Sequence, residues 1–214
     1  MITDESVIKY LRDNIDIKRE KLLSEMEEYA LLNHIPIIQK EASDVLLFLI
    51  KLTKPKRILE LGTAMGYSSI LMALTSPDSY IDTLERNREM VLLARNYINK
   101  YSLDSQIIVH EGEINETIEK LDGKYDLVFI DAGKSHYSQY FQFASEHLEE
   151  NGVIICDNVL INGEVAKDEI KDKKHATSIL KMKKFISDIS GDKRIDSVII
   201  PVGDGLMIIK RKDN

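Results

Sequence analysis

The sequence predicts an α/β fold: a doubly wound, mostly parallel sheet of seven strands, led by helices and closed by an antiparallel hairpin. Three observations predict it. From Arg57 onward, short apolar runs alternate with amphipathic segments. The stretch before that, to Leu52, carries helical spacing alone. Near the end, two β-rich runs flank Gly203-Asp204-Gly205.

Each element follows in order. Leu22, Leu23, Met26, Tyr29 and Ala30 recur at helical spacing, as do Val45, Leu46, Leu49 and Ile50. Pro36 separates these helices. The strand runs are Ile58–Leu61, Tyr80–Leu84, Gln106–Val109, Leu127–Ile130 and Val153–Cys156. Between them, Arg88–Lys100 and Tyr137–Leu148 have helical periodicity. Strand–helix alternation of this kind predicts a parallel sheet with helices on both faces. The runs Ser197–Val202 and Leu206–Lys210 around a Gly/Asp turn read as the hairpin. No repeat, low-complexity stretch or linker interrupts the chain, so residues 1–214 read as one domain with 1–52 as a helical cover.

Composition excludes several classes. With 214 residues, 43% hydrophobic and 30% charged, the chain is of ordinary globular make-up. A net charge of -7 argues against nonspecific coating of nucleic acid, though not against a local basic patch. Cys156 is the single cysteine, so no intrachain disulfide is possible, which fits a reducing, cytoplasmic setting. Met1 to Tyr10 lacks the charged start and apolar core of a secretory leader, and the apolar run Val45–Ile50 is too short to span a bilayer. No membrane association is expected.

The segment Glu60 to Ser69, E-L-G-T-A-M-G-Y-S-S, follows a strand and opens a helix. Its glycines would let a ligand approach the backbone, and a helix N-terminus offers unpaired N–H groups. The spacing Gly62 to Gly66 is not the G-x-G-x-x-G of dinucleotide binding. The next strand ends at Glu85, where a carboxylate can accept hydrogen bonds from both hydroxyls of a ribose. The third ends near Gly112-Glu113, where an adenine edge could sit. Taken singly, each piece reads equally as a turn or a surface acid. As an ordered set at successive strand ends they point to a ligand cleft.

Two further strands run into Asp131-Ala132-Gly133-Lys134 and Asp157-Asn158. In a doubly wound sheet both tips lie on one edge, bringing two carboxylates and an amide together. Hard oxygen donors of this kind suit Mg²⁺. The plain alternative is that Asp157 and Asn158 cap a turn. Lys134 beside a metal is a candidate general base; otherwise it is a solvated lysine. Cys156 lies inside an apolar strand and reads as core, and no His pair has ligand spacing.

These residues resemble those of the catechol and caffeoyl-CoA type of O-methyltransferase, a class I S-adenosylmethionine-dependent family. The likeness runs from about His34 to Lys210. It is carried by E-L-G-T-A-M-G-Y-S-S, Glu85, F-I-D-A-G-K-S-H-Y (Phe129 to Tyr137), C-D-N-V-L (Cys156 to Leu160) and P-V-G-D-G-L (Pro201 to Leu206). It implies a Rossmann-like fold. Glu60, Gly62, Gly66 and Ser68 would line the methionine part of S-adenosylmethionine, and Ile38 would meet its carboxylate. Glu85 would hold the ribose, with Gly112 and Glu113 on the adenine side. Asp131, Asp157 and Asn158 would bind Mg²⁺, and Lys134, beside Asp131, would take the substrate proton. Glu113 departs from the small residue usual in the family. No acidic gate for a catechol ring is evident; Asp204 is the nearest substrate-side acid.

Within that family the chain is most similar to bacterial tRNA 5-hydroxyuridine methyltransferases. The pointers are N-H-I-P-I-I (Asn33 to Ile38), D-N-V-L-I-N-G-E-V-A (Asp157 to Ala166) and the basic helix that follows. Catechols and 5-hydroxyuridine both present two adjacent oxygens, so the metal site alone does not choose between them. The segment Lys173 to Lys184 holds Lys173, Lys174, Lys181, Lys183 and Lys184 and no acid. It reads as a phosphate footprint for a tRNA anticodon loop, with Lys173, Lys181 and Lys184 foremost, or as a solvated helix face. Tyr137 and Tyr140 are candidate stacking partners, or packing. The expected partners are thus a tRNA anticodon loop or a small catechol-like acceptor, and a second copy of the chain in a homodimer.

Overall fold

The protein is described from a computed structural model, which covers residues 5–16, 21–170 and 173–212. The leader segment up to Asp4 and the side chain of Leu22 lie outside the described residues.

Three helices come first: α1 (Glu5–Asp16), α2 (Lys21–Leu32) and α3 (Lys40–Thr53). Pro36 sits in the extended segment between α2 and α3, as its missing N–H and fixed φ require. α3 ends where Lys54 turns left-handed at φ 49° and its N–H closes on the Ile50 carbonyl. The rest alternates: β1 (Arg57–Leu61), α4 (Tyr67–Thr75), β2 (Tyr80–Glu85), α5 (Arg88–Lys100), β3 (Ile107–Glu111), the single turn α6 (Ile114–Thr117), β4 (Tyr125–Ile130), α7 (Tyr137–Glu146), β5 (Leu148–Cys156), α8 (Ala176–Gly191), β6 (Ile195–Ile200) and β7 (Leu206–Arg211).

The seven strands form one sheet in the order β3-β2-β1-β4-β5-β7-β6. The first five are parallel, and β7 runs antiparallel to both β5 and β6. The chain winds outward from β1 in one direction, then restarts at β4 in the other. That reversal opens a crevice at the carboxyl ends of β1 and β4.

Alternation along each strand feeds two cores. Ile58, Leu127, Phe129 and Ile155 face the helices α3, α4 and α5, whose Leu46, Ile50, Ile70 and Val91 are buried there. Leu59, Leu61, Val128 and Ile130 face α7 and α8, with Tyr140, Ile179 and Phe185. Near-continuous apolar strands arise because both faces are covered.

Most strand ends move by one or two residues, β5 starts five residues early, and at Leu148 the element itself differs from expectation. The amphipathic run through Leu148 breaks after Glu146, and Leu148 instead begins β5, opposite Tyr125. A register irregularity between Tyr125 and Leu127 accommodates the exposed Glu149–Asn151 stretch. Among the described residues no helix is long and apolar enough to cross a membrane.

Candidate active site

A cavity of about 610 Å³ opens at the sheet's carboxyl edge. Its floor is the turn between β1 and α4. Gly62 there has φ 109°, and a Cβ on it would stand 2.1 Å from the Asp131 carbonyl oxygen. The tips of β1 and β4 touch at this point, since the Asp131 N–H donates to the Leu61 carbonyl at 2.9 Å. Gly62 is therefore fixed by strand packing as much as by ligand approach. Gly66, at φ 84°, caps α4 from a left-handed conformation beside Ala94 of α5.

Glu85 ends β2 with both carboxylate oxygens engaged. It accepts the Ala64 N–H at 2.9 Å and the Asn87 N–H at 2.8 Å. The turn and the acid thus hold each other, and the carboxylate stays on the cavity wall. Across the mouth, the Arg86 guanidinium stands 3.6 Å from the Glu113 carboxylate.

The main-chain ladder continues one residue past β4 and β5. Besides the Asp131 bond, the Asp157 N–H donates to the Ile130 carbonyl at 2.9 Å. This places Asp131 and Asp157 side by side on one wall. Burial pushes both carboxyls above the usual carboxylate range. The charge of Glu60 adds to this at Asp131, and that of Asp131 at Asp157. Lys134 opposes it at both, and the Asn158 N–H, donating to Asp157 at 2.7 Å, opposes it at Asp157. Asn158 itself adopts φ 55°, which Asn tolerates better than most residues. Lys134 also meets the β6–β7 turn, with Nζ 3.6 Å from Asp204 Oδ2.

The metal expectation can be tested on this wall. It carries two buried carboxylates, with the charge of Asp131 raising the proton affinity of Asp157, and an amide oxygen donor on the adjoining residue. No group of three His, Cys, Asp or Glu among the described residues is built to hold a metal. The set is instead carboxylate, carboxylate and amide, all hard oxygen donors. Such a set suits a divalent cation of the Mg²⁺ type, which would relieve the repulsion.

Of the residues expected at the cofactor, Ile38, Gly62, Ser68, Glu85, Glu113 and Asp131 line the cavity; so do Lys134, Asp157 and Asn158. Gly66 and Gly112 stand behind the wall, where Gly112 takes φ 146° against Thr117. Glu60 also differs from expectation. It is fully buried, and its carboxylate accepts hydrogen bonds from the hydroxyls of Ser68, Ser69 and Thr83, tying α4 to the strands beneath.

Tyr137 is corrected as a substrate-side ring. It is 1% exposed, packs edge-on against Phe185 at 5.8 Å, and donates its hydroxyl to the Asp157 carbonyl at 2.7 Å. Burial of its neighbour Phe185 explains this, because α8 draws the start of α7 inward. Tyr140, one turn on, does line the cavity, with the His136 ring tilted beside it at 5.9 Å. Lys173, Lys181 and Lys184 are exposed, and Lys184 pairs with Asp188 at 2.6 Å. α8 packs against the Lys134–His136 turn, and none of these lysines lines the cavity.

Sequence reasoning missed a second groove, of about 990 Å³, lined by Ile8, Leu11 and Arg12 of α1, by Leu160, Asn162, Gly163 and Ala166, and by the turn Pro201–Asp204. Gln39 lines both spaces. Arg12 is clamped to the Glu41 carboxylate by two hydrogen bonds, at 3.0 and 2.9 Å. The only signal in the sequence was the amphipathic character of the first helix, which does not say what it covers.

Comparison with known proteins identifies the family. The O-methyltransferase family model matches residues 14–212. The caffeoyl-CoA O-methyltransferase of Medicago sativa is 30% identical over 226 residues, covering 99% of this chain and 90% of its own. The catechol O-methyltransferase of Niastella koreensis is 28% identical over 202 residues, covering 92% and 90%. Among solved structures, the SAH-bound methyltransferase PaMTH1 of Podospora anserina has a TM-score of 0.87 at 27% identity, covering 99% of this chain and 97% of that one. The O-methyltransferase of Bacillus cereus in complex with SAH has a TM-score of 0.85 at 25% identity, covering 97% of each. The chain belongs to the O-methyltransferase family and is an S-adenosylmethionine-dependent enzyme.

Proposed function

We propose that the enzyme methylates the hydroxyl of 5-hydroxyuridine in a tRNA anticodon loop, giving 5-methoxyuridine, with Mg²⁺ held by Asp131, Asp157 and Asn158. The observation that carries the metal reading is the pair of buried, mutually repelling carboxylates at adjacent strand tips. A divalent cation there would acidify and orient the acceptor hydroxyl. Glu85 would accept the ribose hydroxyls of the cofactor, whose sulfonium supplies the methyl group. The loop at Gly62–Gly66 would receive its methionine part, with Ile38 opposite, and Glu113 would border the adenine. Lys134 takes the acceptor proton as the O–CH₃ bond forms and the S–CH₃ bond breaks. Glu60 positions the loop through Ser68 and Ser69.

Two features support an RNA acceptor. The exposed lysines Lys173 and Lys181 lie on or beside α8, next to the turn that carries Lys134. The groove of about 990 Å³ also leaves far more room than one aromatic ring needs. A base splayed from a single-stranded loop would enter there, its phosphates near the lysines. The second reading is a small catechol-like acceptor. It is favoured by the relatives named for catechol and caffeoyl-CoA methylation. We further read the chain as one cytoplasmic methyltransferase domain with α1–α3 as its cover, working as a homodimer.

The test is direct. The protein is incubated with S-adenosylmethionine, Mg²⁺ and tRNA bearing 5-hydroxyuridine, with 3,4-dihydroxybenzoate in a parallel reaction. Digested tRNA is searched for 5-methoxyuridine by mass spectrometry. Product on the tRNA is expected. Methylated catechol with untouched tRNA would move the function to small molecules and leave the lysines a solvated face.

A further inference from the structure

Between the two spaces described above stands one ion pair. Lys134 lines the cofactor cavity but not the groove; Asp204 lines the groove but not the cavity. Their charged atoms are 3.6 Å apart, with the Asp204 side chain 10% exposed and that of Lys134 33%. Asp204 is itself fixed from three sides. Its Oδ1 accepts the Asn162 N–H, its carbonyl accepts the Leu160 N–H at 2.9 Å, and Gly205 beside it packs under Leu160. The loop after β5, which begins at Asp157 and Asn158, is thereby tied to the β6–β7 turn. One carboxylate so joins the lysine, the loop of the metal wall and the floor of the groove.

We infer that Asp204 is a positioning residue for the methyl transfer: it holds the Lys134 side chain at the boundary between cofactor and acceptor spaces and receives the positive charge that Lys134 acquires. This rests on the reading of Lys134 as the base. The resting ammonium first gives its proton to solvent; the acceptor hydroxyl then protonates the free Nζ lone pair as the oxygen takes the methyl group and sulfur leaves as a neutral thioether. An ammonium remains in a half-buried site. Asp131 and Asp157, committed to a cation, no longer balance it. Asp204 is then the carboxylate left facing it, and low exposure keeps that attraction from being screened.

The experiment is a double-mutant cycle on the full chain with S-adenosylmethionine and Mg²⁺, using whichever of the two acceptors above is methylated. Asp204→Asn keeps the side-chain volume and an acceptor for the Asn162 N–H, but removes the charge. We expect kcat to fall at least tenfold, while acceptor KM, cofactor Kd by calorimetry and the unfolding temperature stay close to wild type. Asp204→Glu should recover part of the loss. With Lys134→Met, the second change Asp204→Asn should cost nothing further. If Lys134→Met retains turnover, the base reading fails and this inference with it. If Lys134→Met is inactive but Asp204→Asn keeps wild-type kcat, or loses cofactor affinity and stability together, the base reading stands and the role of Asp204 is overturned.

Discussion

Glu60 is sealed from solvent, and its charge is balanced only by hydroxyl donors. Burial lifts its carboxyl from 4.5 to about 6, against the opposing hydrogen bonds of Ser68, Ser69 and Thr83, with Glu85's charge adding to the rise. A gap of that size is worth about 2 kcal/mol in favour of the protonated form. Because the folded value lies above the unfolded one, this contribution is complete below about pH 4.5 and is lost as pH climbs through about 6. Glu60→Gln should therefore gain stability relative to wild type by about 2 kcal/mol between about pH 4.5 and 7. Urea unfolding at the two pH values measures this; parallel curves would contradict it. At the metal wall, Asp131→Ala should leave the fold intact and cut Mg²⁺-dependent turnover by at least a thousandfold, on the order of 4 kcal/mol. A steady-state assay over a Mg²⁺ titration checks it, and wild-type turnover with an unchanged Mg²⁺ midpoint would mean that Asp131 is not a ligand.

At the scale of elements, the β1–α4 turn is the least forgiving. Gly62→Ala would drive a Cβ into the Asp131 carbonyl and force φ 109° on an alanine, so the tips of β1 and β4 must part. A loss of about 3 kcal/mol, with weakened cofactor binding, is expected from thermal unfolding and calorimetry. An unchanged melting temperature would show that the turn relaxes freely. This turn was readable in advance because a glycine directly after an apolar strand and before a helix marks a tight reversal of the chain. Glu85, Asp131 and Asp157 were readable on similar grounds: each closes an apolar run, and parallel topology gathers such ends on one edge. The placement of Glu60 was not readable. Period-two alternation puts it opposite Leu59, but which helix it meets depends on α4 lying across β1 and β2. Tyr137 was misread because an aromatic beside a catalytic turn looks the same whether it points out or, as here, under Phe185. Single turns such as α6 carry too few residues for a period to show.

Over the whole molecule, the excess of negative charge makes the lysines around α8 an exception, and their effect should depend on ionic strength. If tRNA is the acceptor, Lys173→Glu combined with Lys181→Glu should raise KM for tRNA at least tenfold and flatten its salt dependence, leaving catechol methylation untouched. Steady-state rates from about 50 to 200 mM salt would show it; equal losses on both acceptors would point to a fault in α8 packing. The fold class, the strand runs from β1 to β5 and the closing hairpin were legible because alternation and turn chemistry are local. The groove was not, since it needs α1 to meet the β6–β7 turn from the far end of the chain, and no local pattern encodes that meeting.

We propose that the two strand-tip aspartates hold a divalent cation required for methyl transfer. It is tested most directly by stripping the protein with chelator and following methyl transfer as Mg²⁺ is restored, for wild type and Asp157→Ala side by side. No turnover is expected without metal, with saturable recovery in wild type and none in the variant. Undiminished turnover in excess chelator, or equal recovery in Asp157→Ala, would contradict it.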